Sequence, residues 1–391
     1  MINYNNVLDL ELYVVEKRRD FHAHPETGFK EFRTSGIVIE ELKKFGYEIK
    51  SEIGVTGIVA TLRGNKPGKT VALRADMDAL TMDEENLVPY KSQTKGVMHA
   101  CGHDAHTAML LGAAKFFAAN KELLNGTLKL VFQSAEEGPF PGGGSFIVDS
   151  GELDDVDAVF GIHITTSIEV GKLEIKPGPY MAAPDEYIIE ILGKGTHASA
   201  PHTGHDPVVT AAQLILAFQN IVSRELKPTT PAVISTTIVE AGSAFNVIPD
   251  KVIIKGTLRT LTEDVRVFCV KRLEEMTKSI TELNKSDYTF EFIEGYPALI
   301  NDEAMTKVLA NTARDVLGAE NVTIVDDPIM GGEDFAYYLQ RKPGAFAFIG
   351  GANKEKGLVY YNHSPKFDID EDALLKGVLI HINNVYNFLN N

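Results

Sequence analysis

The middle of this chain constrains its fold more than any other part. Between residues 186 and 295 the apolar pattern runs strand, helix, strand, strand, helix, strand. The strand-like runs are EYIIEILGKG (186–195), AVISTTIVEAG (232–242), KVIIKGTLRT (251–260) and YTFEFIEG (288–295), and helical periods cover 207–226 and 263–284. Alternation with period two marks strands, and recurrence at three to four marks a helix face. A β-α-β-β-α-β order closes on itself as a self-contained unit, so the segments on either side of it must find each other across it.

Those flanking segments alternate helix and strand. Helical periods fall at about 7–22 and 31–45, and strands at GIVATLRG (57–64) and TVALRADMD (70–78). A helix is expected from Asp104, then the strand TLKLVFQSAEE (127–137), a glycine-rich turn PGGGS and the strand AVFGIHIT (158–165). After the middle block, helix and strand patterns resume at 302–318, 345–351 and 371–389. The fold class is therefore α/β. One domain, with a mixed sheet and helices on both faces, is expected from residues 1–183 and 296–391, with a ferredoxin-like domain, 184–295, inserted in it. The segment GNKPGKT resembles a phosphate loop, but only three residues separate Gly64 from Gly68 where the motif needs four. A polar Pro-Gly turn between two strands is the better reading.

Charge excludes some partners. Against 38 Lys+Arg stand 54 Asp+Glu, a formal charge of -16, which disfavours nucleic acid and anionic membranes. Two cysteines, Cys101 and Cys269, make no disulfide framework. No basic stretch followed by an apolar core opens the chain, and no apolar run reaches the ~18 residues of a spanning helix. A cytoplasmic protein is expected, and the sequons at Asn125, Asn284, Asn321 and Asn362 are read as chance matches.

The chemistry concentrates in a few segments. His99, Cys101, His103, Asp104 and His106 crowd eight residues before a helix, a set suited to zinc and related divalent ions. Glu136-Glu137 ends a strand, where sites form in α/β sheets. One carboxylate can ligate a metal while the other acts as general base. Asp76 and Asp78 end another strand and share a side by its period. His163, alone in FGIHIT, reads more readily as a core residue, and His363 in a polar turn means little by itself. Together these groups can close a dinuclear site. No G-x-S-x-G, H-E-x-x-H or dinucleotide fingerprint competes, and a Cys101–His103 nucleophile pair leaves the other groups unexplained.

The segments RRDFHAHPETGFKEFRTS, LRADMDAL, MHACGHDAHTAMLLGAA, LVFQSAEEG, FGIHI, GKGTHASAPHTGHDP, FNVIPD with GTLR, MGGEDFAYYL and NHSPKFDID follow one another from residue 18 to 371. In that order they resemble the dinuclear metallopeptidase superfamily of aminoacylases and carboxypeptidases. The M-H-A-C-G-H-D-x-H motif is similar to the branch of hippurate hydrolases, indole-acetyl-amino-acid hydrolases and N-acetyl-diaminopimelate deacetylases. The resemblance implies Cys101, His103, Glu137, His163 and His363 as metal ligands, Glu136 as general base and Asp78 as support of the metal site. It implies that the inserted domain is a lid and dimerisation domain. There His197 stabilises the oxyanion, often in the partner subunit's site, and Asn246 and Arg259 bind the substrate's carboxylate or the tetrahedral intermediate. Gly331, Gly332 and Glu333 line the substrate pocket. His202 is left open between a site role and a structural one, while His22 and His24 are read as structural. Thr81-Met82 departs from the Leu-Pro-Met of many relatives without touching a ligand. The implied activity is hydrolysis of N-acyl amino acids with two divalent ions, Mn2+ or Zn2+ with Co2+ or Ni2+ as alternatives, in a homodimer or tetramer. A dipeptidase, aminopeptidase or carboxypeptidase using the same metals is the second reading, and a metal-binding protein without turnover the third.

Overall fold

The computed structural model describes residues 2–390. The chain divides into two compact units, Met1–Gly178 with Ile300–Asp327 and Asp334–Asn391, and Pro179–Leu299 with Pro328–Glu333. The first unit opens with α1 (Glu11–Ala23), which buries Val14, Arg18 and Phe21, and α2 (Phe32–Lys44), which buries Val38 and Leu42 one turn apart. Three strands follow, β1 (Glu48–Ile53), β2 (Gly57–Arg63) and β3 (Lys66–Asp76). The helix α3 (His103–Ala119) is apolar on all sides and buried almost throughout, as a helix of the core must be. Next come β4 (Asn125–Gln133), α4 (Gly143–Asp149), β5 (Ala158–Glu169) and β6 (Leu173–Ile175).

A short strand, β7 (Gly178–Met181), precedes the second unit's elements: β8 (Ala183–Leu192), β9 (Thr196–His197), α5 (Pro207–Asn220), β10 (Ala232–Ala241), β11 (Val247–Ile248), β12 (Lys251–Thr260), α6 (Glu263–Leu283) and β13 (Asp287–Ile293). Asp206 caps α5 by accepting from the Val208 and Val209 amides, with Pro207 at the first helical position. The four-stranded sheet is antiparallel in the order β10-β12-β8-β13. Along β12 buried residues alternate with more exposed ones, so one face is covered. Its core joins Tyr187, Ile189, Val252 and Ile254 to Leu214 and Phe218 of α5 and to Cys269 and Leu273 of α6.

The chain returns to the first unit through β14 (Leu299–Asn301), α7 (Glu303–Leu317), β15 (Val322–Ile324), α8 (Ala336–Arg341), β16 (Gly344–Ala352) and α9 (Asp372–Asn390). Among the described residues, eight strands form one mixed sheet, β1-β2-β4-β3-β5-β16-β6-β15. Its centre, β4, β3, β5 and β16, is parallel, while β1, β2 and β6 pair antiparallel to neighbours. Parallel strands are buried on both faces, and β3, β4, β5 and β16 are continuous buried runs where they meet. No helix of the described residues is long and apolar enough to cross a membrane.

Several local expectations need correction. The polar Pro-Gly turn expected in GNKPGKT does not form, because Pro67 and Gly68 lie within β3, and with β4 between β2 and β3 the link runs past its start. A Cβ on Gly64 would fall 2.0 Å from the Leu124 carbonyl oxygen and one on Gly68 2.2 Å from that of Asn125, so only glycine fits, and β3 begins already at Lys66. The strand expected to reach 137 stops at Gln133, since Ala135 takes a positive φ of 50°. PGGGS opens a helix instead of a turn: Gly143 and Gly144 start α4, where side chains would collide with the Ser134 and Asp334 carbonyl oxygens. The helix expected over 207–226 changes to a π turn at Ile221–Glu225.

Candidate metal centre

The candidate site lies where the central strands β3 and β4 end and β5 passes beside the start of α3. Gly102, at φ 97°, admits the chain past β5: a Cβ there would stand 2.4 Å from the Ile164 Cγ2. This close pass sets the Cys101 Sγ 3.3 Å from the His163 Nε2. His163 Nδ1 donates to the Ile164 carbonyl at 2.8 Å, which puts the ring's lone pair on Nε2, on the side of the Cys101 sulfur. The C-terminal turn is tied to the same spot. Asn362 donates to the Cys101 carbonyl at 2.9 Å and the His363 amide to that of Ala100 at 2.7 Å. The His363 Nε2 then lies 3.0 Å from the Glu137 Oε1.

Three groups of donor atoms result, each within 4.8 Å of one another: Cys101, His103 and His163; Cys101, Glu137 and His363; and His103, Glu136 and Glu137. Cys101 is common to the first two, so one thiolate can serve two ions. The donor set of sulfur, imidazole and carboxylate suits borderline divalent metals. The His103 Nε2 is buried without a hydrogen-bond partner, the state expected of a ligand atom whose partner is a cation. Burial, Glu137 and Glu136 all push the Cys101 thiol well up, so a thiolate there requires positive charge nearby. The residues present fit two divalent ions.

Carboxylates outside these ligands fix the geometry. Asp78 accepts from the His103 ring Nδ1 at 3.2 Å and from the Glu136 and Glu137 amides at 3.0 and 2.9 Å. A fourth group, Asp76, His103 and His106, is already spent on itself. His106 Nε2 accepts from the Ile164 amide at 2.8 Å, so its Nδ1–H donates to Asp76 at 2.6 Å. Arg74 bridges Asp76 at 2.5 Å and Asp334 at 2.7 Å. Burial alone would raise the Asp76 carboxyl, but Arg74, His103 and His106 hold it well below the usual range. Burial would lower His103, yet Asp76 and Asp78 push it up to about 10.

His22 is buried between Asp104 (2.8 Å) and Glu84 (3.2 Å), with Arg18 on the same Asp104 at 2.9 Å, and His24 bonds the Asp20 carbonyl. His99 is buried with neither nitrogen bonded, and burial pushes it down to about 4. His197, Asn246, Arg259 and Gly331–Glu333 all belong to the second unit. There His197 on β9 pairs with Val247 on β11, and the Asn246 backbone carbonyl accepts from the Ala198 amide at 2.9 Å. The Ser199 amide donates to the His197 Nδ1 at 3.1 Å, so that nitrogen is the acceptor and Nε2 carries the ring proton. Arg259 on β12 stands in register with Pro184, on which Gly332 packs, while His202 is exposed in a 3-10 turn. Sequence reading gave no part to Arg74 or Asp334. Arg74 lies one strand period before Asp76, a signal that a buried cation serves that carboxylate.

Comparison with known proteins places this geometry. Peptidase family M20/M25/M40 matches residues 72–386. The chain is 42% identical to thermostable carboxypeptidase 2 of Saccharolobus solfataricus, over 96% of this chain and 95% of that one. It is 41% identical to N-acetyl-L-cysteine deacetylase of Bacillus subtilis, over 95% and 87%. A solved dinuclear metal-binding peptidase of family M20 from Bacillus subtilis superposes with a TM-score of 0.85 at 31% identity, covering 98% of this chain and 99% of the other. With a family match across most of its length and relatives of this identity, the chain belongs to peptidase family M20/M25/M40 and is a hydrolase of that family.

Proposed function

We propose that this protein is a metal-dependent amidohydrolase that cleaves the amide bond of N-acyl amino acids. The observation that carries the reading is the pair of donor groups joined at Cys101, with the Glu136 carboxylate beside His103. Two divalent ions, Mn2+ or Zn2+, are held by Cys101, His103, Glu137, His163 and His363. Bound there, they supply Lewis acidity to the scissile carbonyl and lower the pKa of water. Glu136 takes the proton of the attacking water and returns it to the leaving amine. Asp78 keeps Glu136 and Glu137 aimed by holding both amides. His197 donates from Nε2 to the oxyanion. Arg259 and Asn246 bind the free carboxylate, for which a planar guanidinium is suited, and Gly331–Glu333 line the substrate pocket. The second unit acts as lid and dimerisation domain. Its edge strand β10 exposes Val233, Ile238 and Val239, apolar edge surface that a second copy would cover. Cys101 and Cys269 are free thiols, in keeping with a reducing cytoplasm.

The test is a hydrolysis panel on protein reconstituted with Mn2+, Zn2+, Co2+ or Ni2+. It compares N-acetyl and N-benzoyl amino acids with free dipeptides and C-terminally blocked ones. Metal-dependent release of the amino acid from N-acyl substrates is expected, with Glu136→Gln loading metal but losing roughly 100-fold or more in kcat. Carboxypeptidase activity is the second reading, favoured by the 42% identity to the Saccharolobus enzyme, and a preference for peptides in the panel would establish it instead.

A further inference from the structure

We infer that Glu31 is a positioning residue for the base-bearing turn, and that the segment Glu26–Glu31 is the cradle in which that turn is held; this rests on Glu136 being the general base. The three successive amides of the turn are all taken by buried carboxylates. Glu136 and Glu137 donate to Asp78, and Ala135 donates to the Glu31 Oε1 at 2.8 Å. Ala135 needs such a hold, because its φ of 50° is a conformation that side-chain-bearing residues rarely adopt. The same Oε1 accepts from the Phe29 amide at 3.1 Å, and the Oε2 accepts from the Thr56 hydroxyl at 2.5 Å. Glu31 is fully buried, so no water replaces these bonds if they are lost.

The cradle is itself fastened to rigid structure. Glu26 caps α2 by accepting from the Arg33 and Thr34 amides at 2.9 and 2.8 Å. The Glu26 carbonyl takes the Ala79 amide at 2.8 Å, next to Asp78. Gly28 lies directly under the turn: a Cβ there would fall 2.4 Å from the Gly138 carbonyl oxygen and 3.0 Å from the Ala135 Cβ. One short segment thus fixes both the turn that carries Glu136 and the one that carries Asp78, without touching a metal-ligating atom. A displacement of about 1 Å at a catalytic group can cost ~100-fold in rate.

The test uses the full chain with Glu31→Ala, Glu31→Gln and Gly28→Ala. Hydrogen exchange in metal-free protein reads the peptide spanning 134–142, and kcat and KM are measured on N-acetyl-L-cysteine at saturating Mn2+, with bound Mn2+ assayed. Glu31→Ala is expected to exchange faster in that peptide alone and to lose roughly 10–100-fold in kcat, with KM within threefold and bound Mn2+ equal to wild type. Glu31→Gln keeps an acceptor for Ala135 and should stay within threefold of wild type. Unchanged exchange, a kcat loss that follows lost Mn2+, or a Gln variant as impaired as Ala overturns the inference. If Glu31→Ala does not fold, Gly28→Ala carries the same comparison, and normal exchange and kcat in it overturn the cradle. Full turnover by Glu136→Gln would remove the base assignment alone, and the exchange measurement would still decide the cradle.

Discussion

Replacing Asp78 by Asn should separate the anchor of the site from its ligands. The Asp78 carboxylate takes three donors, two on Oδ1 (the His103 ring and the Glu136 amide) and one on Oδ2 (the Glu137 amide). An asparagine of the same shape keeps one oxygen, which best serves the two donors at Oδ1. Its NH2 then faces the Glu137 amide, donor against donor. One charge-assisted bond is lost, worth about 1.5–3 kcal/mol, and the other two weaken as the charge disappears. At 1.4 kcal/mol per factor of ten this amounts to roughly 10–100-fold, the range found when partners behind metal ligands are removed. The loss should divide between metal affinity, through His103 and Glu137, and kcat, through Glu136. Competition with a calibrated chelator measures the first, and turnover at saturating Mn2+ the second. Unfolding by urea, followed by circular dichroism, checks that the fold persists. If both quantities stay within twofold of wild type, the three bonds do not hold the site and the reasoning is wrong.

Cys101→Ala should prevent stoichiometric loading of two ions, because two of the three groups share that sulfur, whereas His163→Ala should spare the group of Cys101, Glu137 and His363; metal counts by plasma mass spectrometry decide, and two ions bound to Cys101→Ala would refute the shared ligand. In metal-free protein His103 is pushed up to about 10, against its burial, by Asp76 and Asp78, and the Cys101 thiol is pushed well up by burial and the two glutamates. Both therefore carry protons at pH 7, and loading should expel about two per chain and tighten as pH rises from about 6 to 8; calorimetry in buffers of different ionisation enthalpy reads this, and no release would contradict it. Arg18→Met should destabilise by about 3–5 kcal/mol, since it strands the buried Asp104 and Asp368 carboxylates; a urea midpoint equal to wild type would show that the ion pairs contribute nothing net.

Much of this was legible in the chain because the donors are dense and lie near strand ends. The run from His99 to His106 marks its own importance, and the inserted βαββαβ pattern is periodic enough to read element by element. The misses share one cause, that distant segments decide local shape. Strand β4 stops at Gln133 because Ala135, at a φ of 50°, is captured by a carboxylate over a hundred residues upstream. No local pattern around 135 contains Glu31. The link GNKPGKT passes β4 in extended form because of strand order, which is a property of the whole sheet. Strand β1, EIKSEI, is largely exposed at the sheet edge, so it lacks the apolar signal of a strand. His163 was ambiguous by itself; what distinguishes it is Cys101, brought to 3.3 Å by the pass at Gly102.

The interrupted first unit has a consequence for how the protein is made. A ribosome releases Pro179–Leu299, the greater part of the second unit, while β16 is still to be translated. That strand fills the gap between β5 and β6 in the large sheet, and His363 follows it. A nascent chain can therefore fold its later-starting unit first, as domains fold once their residues emerge. Until His363 is translated, the group of Cys101, Glu137 and His363 lacks its imidazole. Of the donor groups, only that of Cys101, Glu137 and His363 has to await the end of synthesis, and a prematurely terminated chain would expose a half-built sheet.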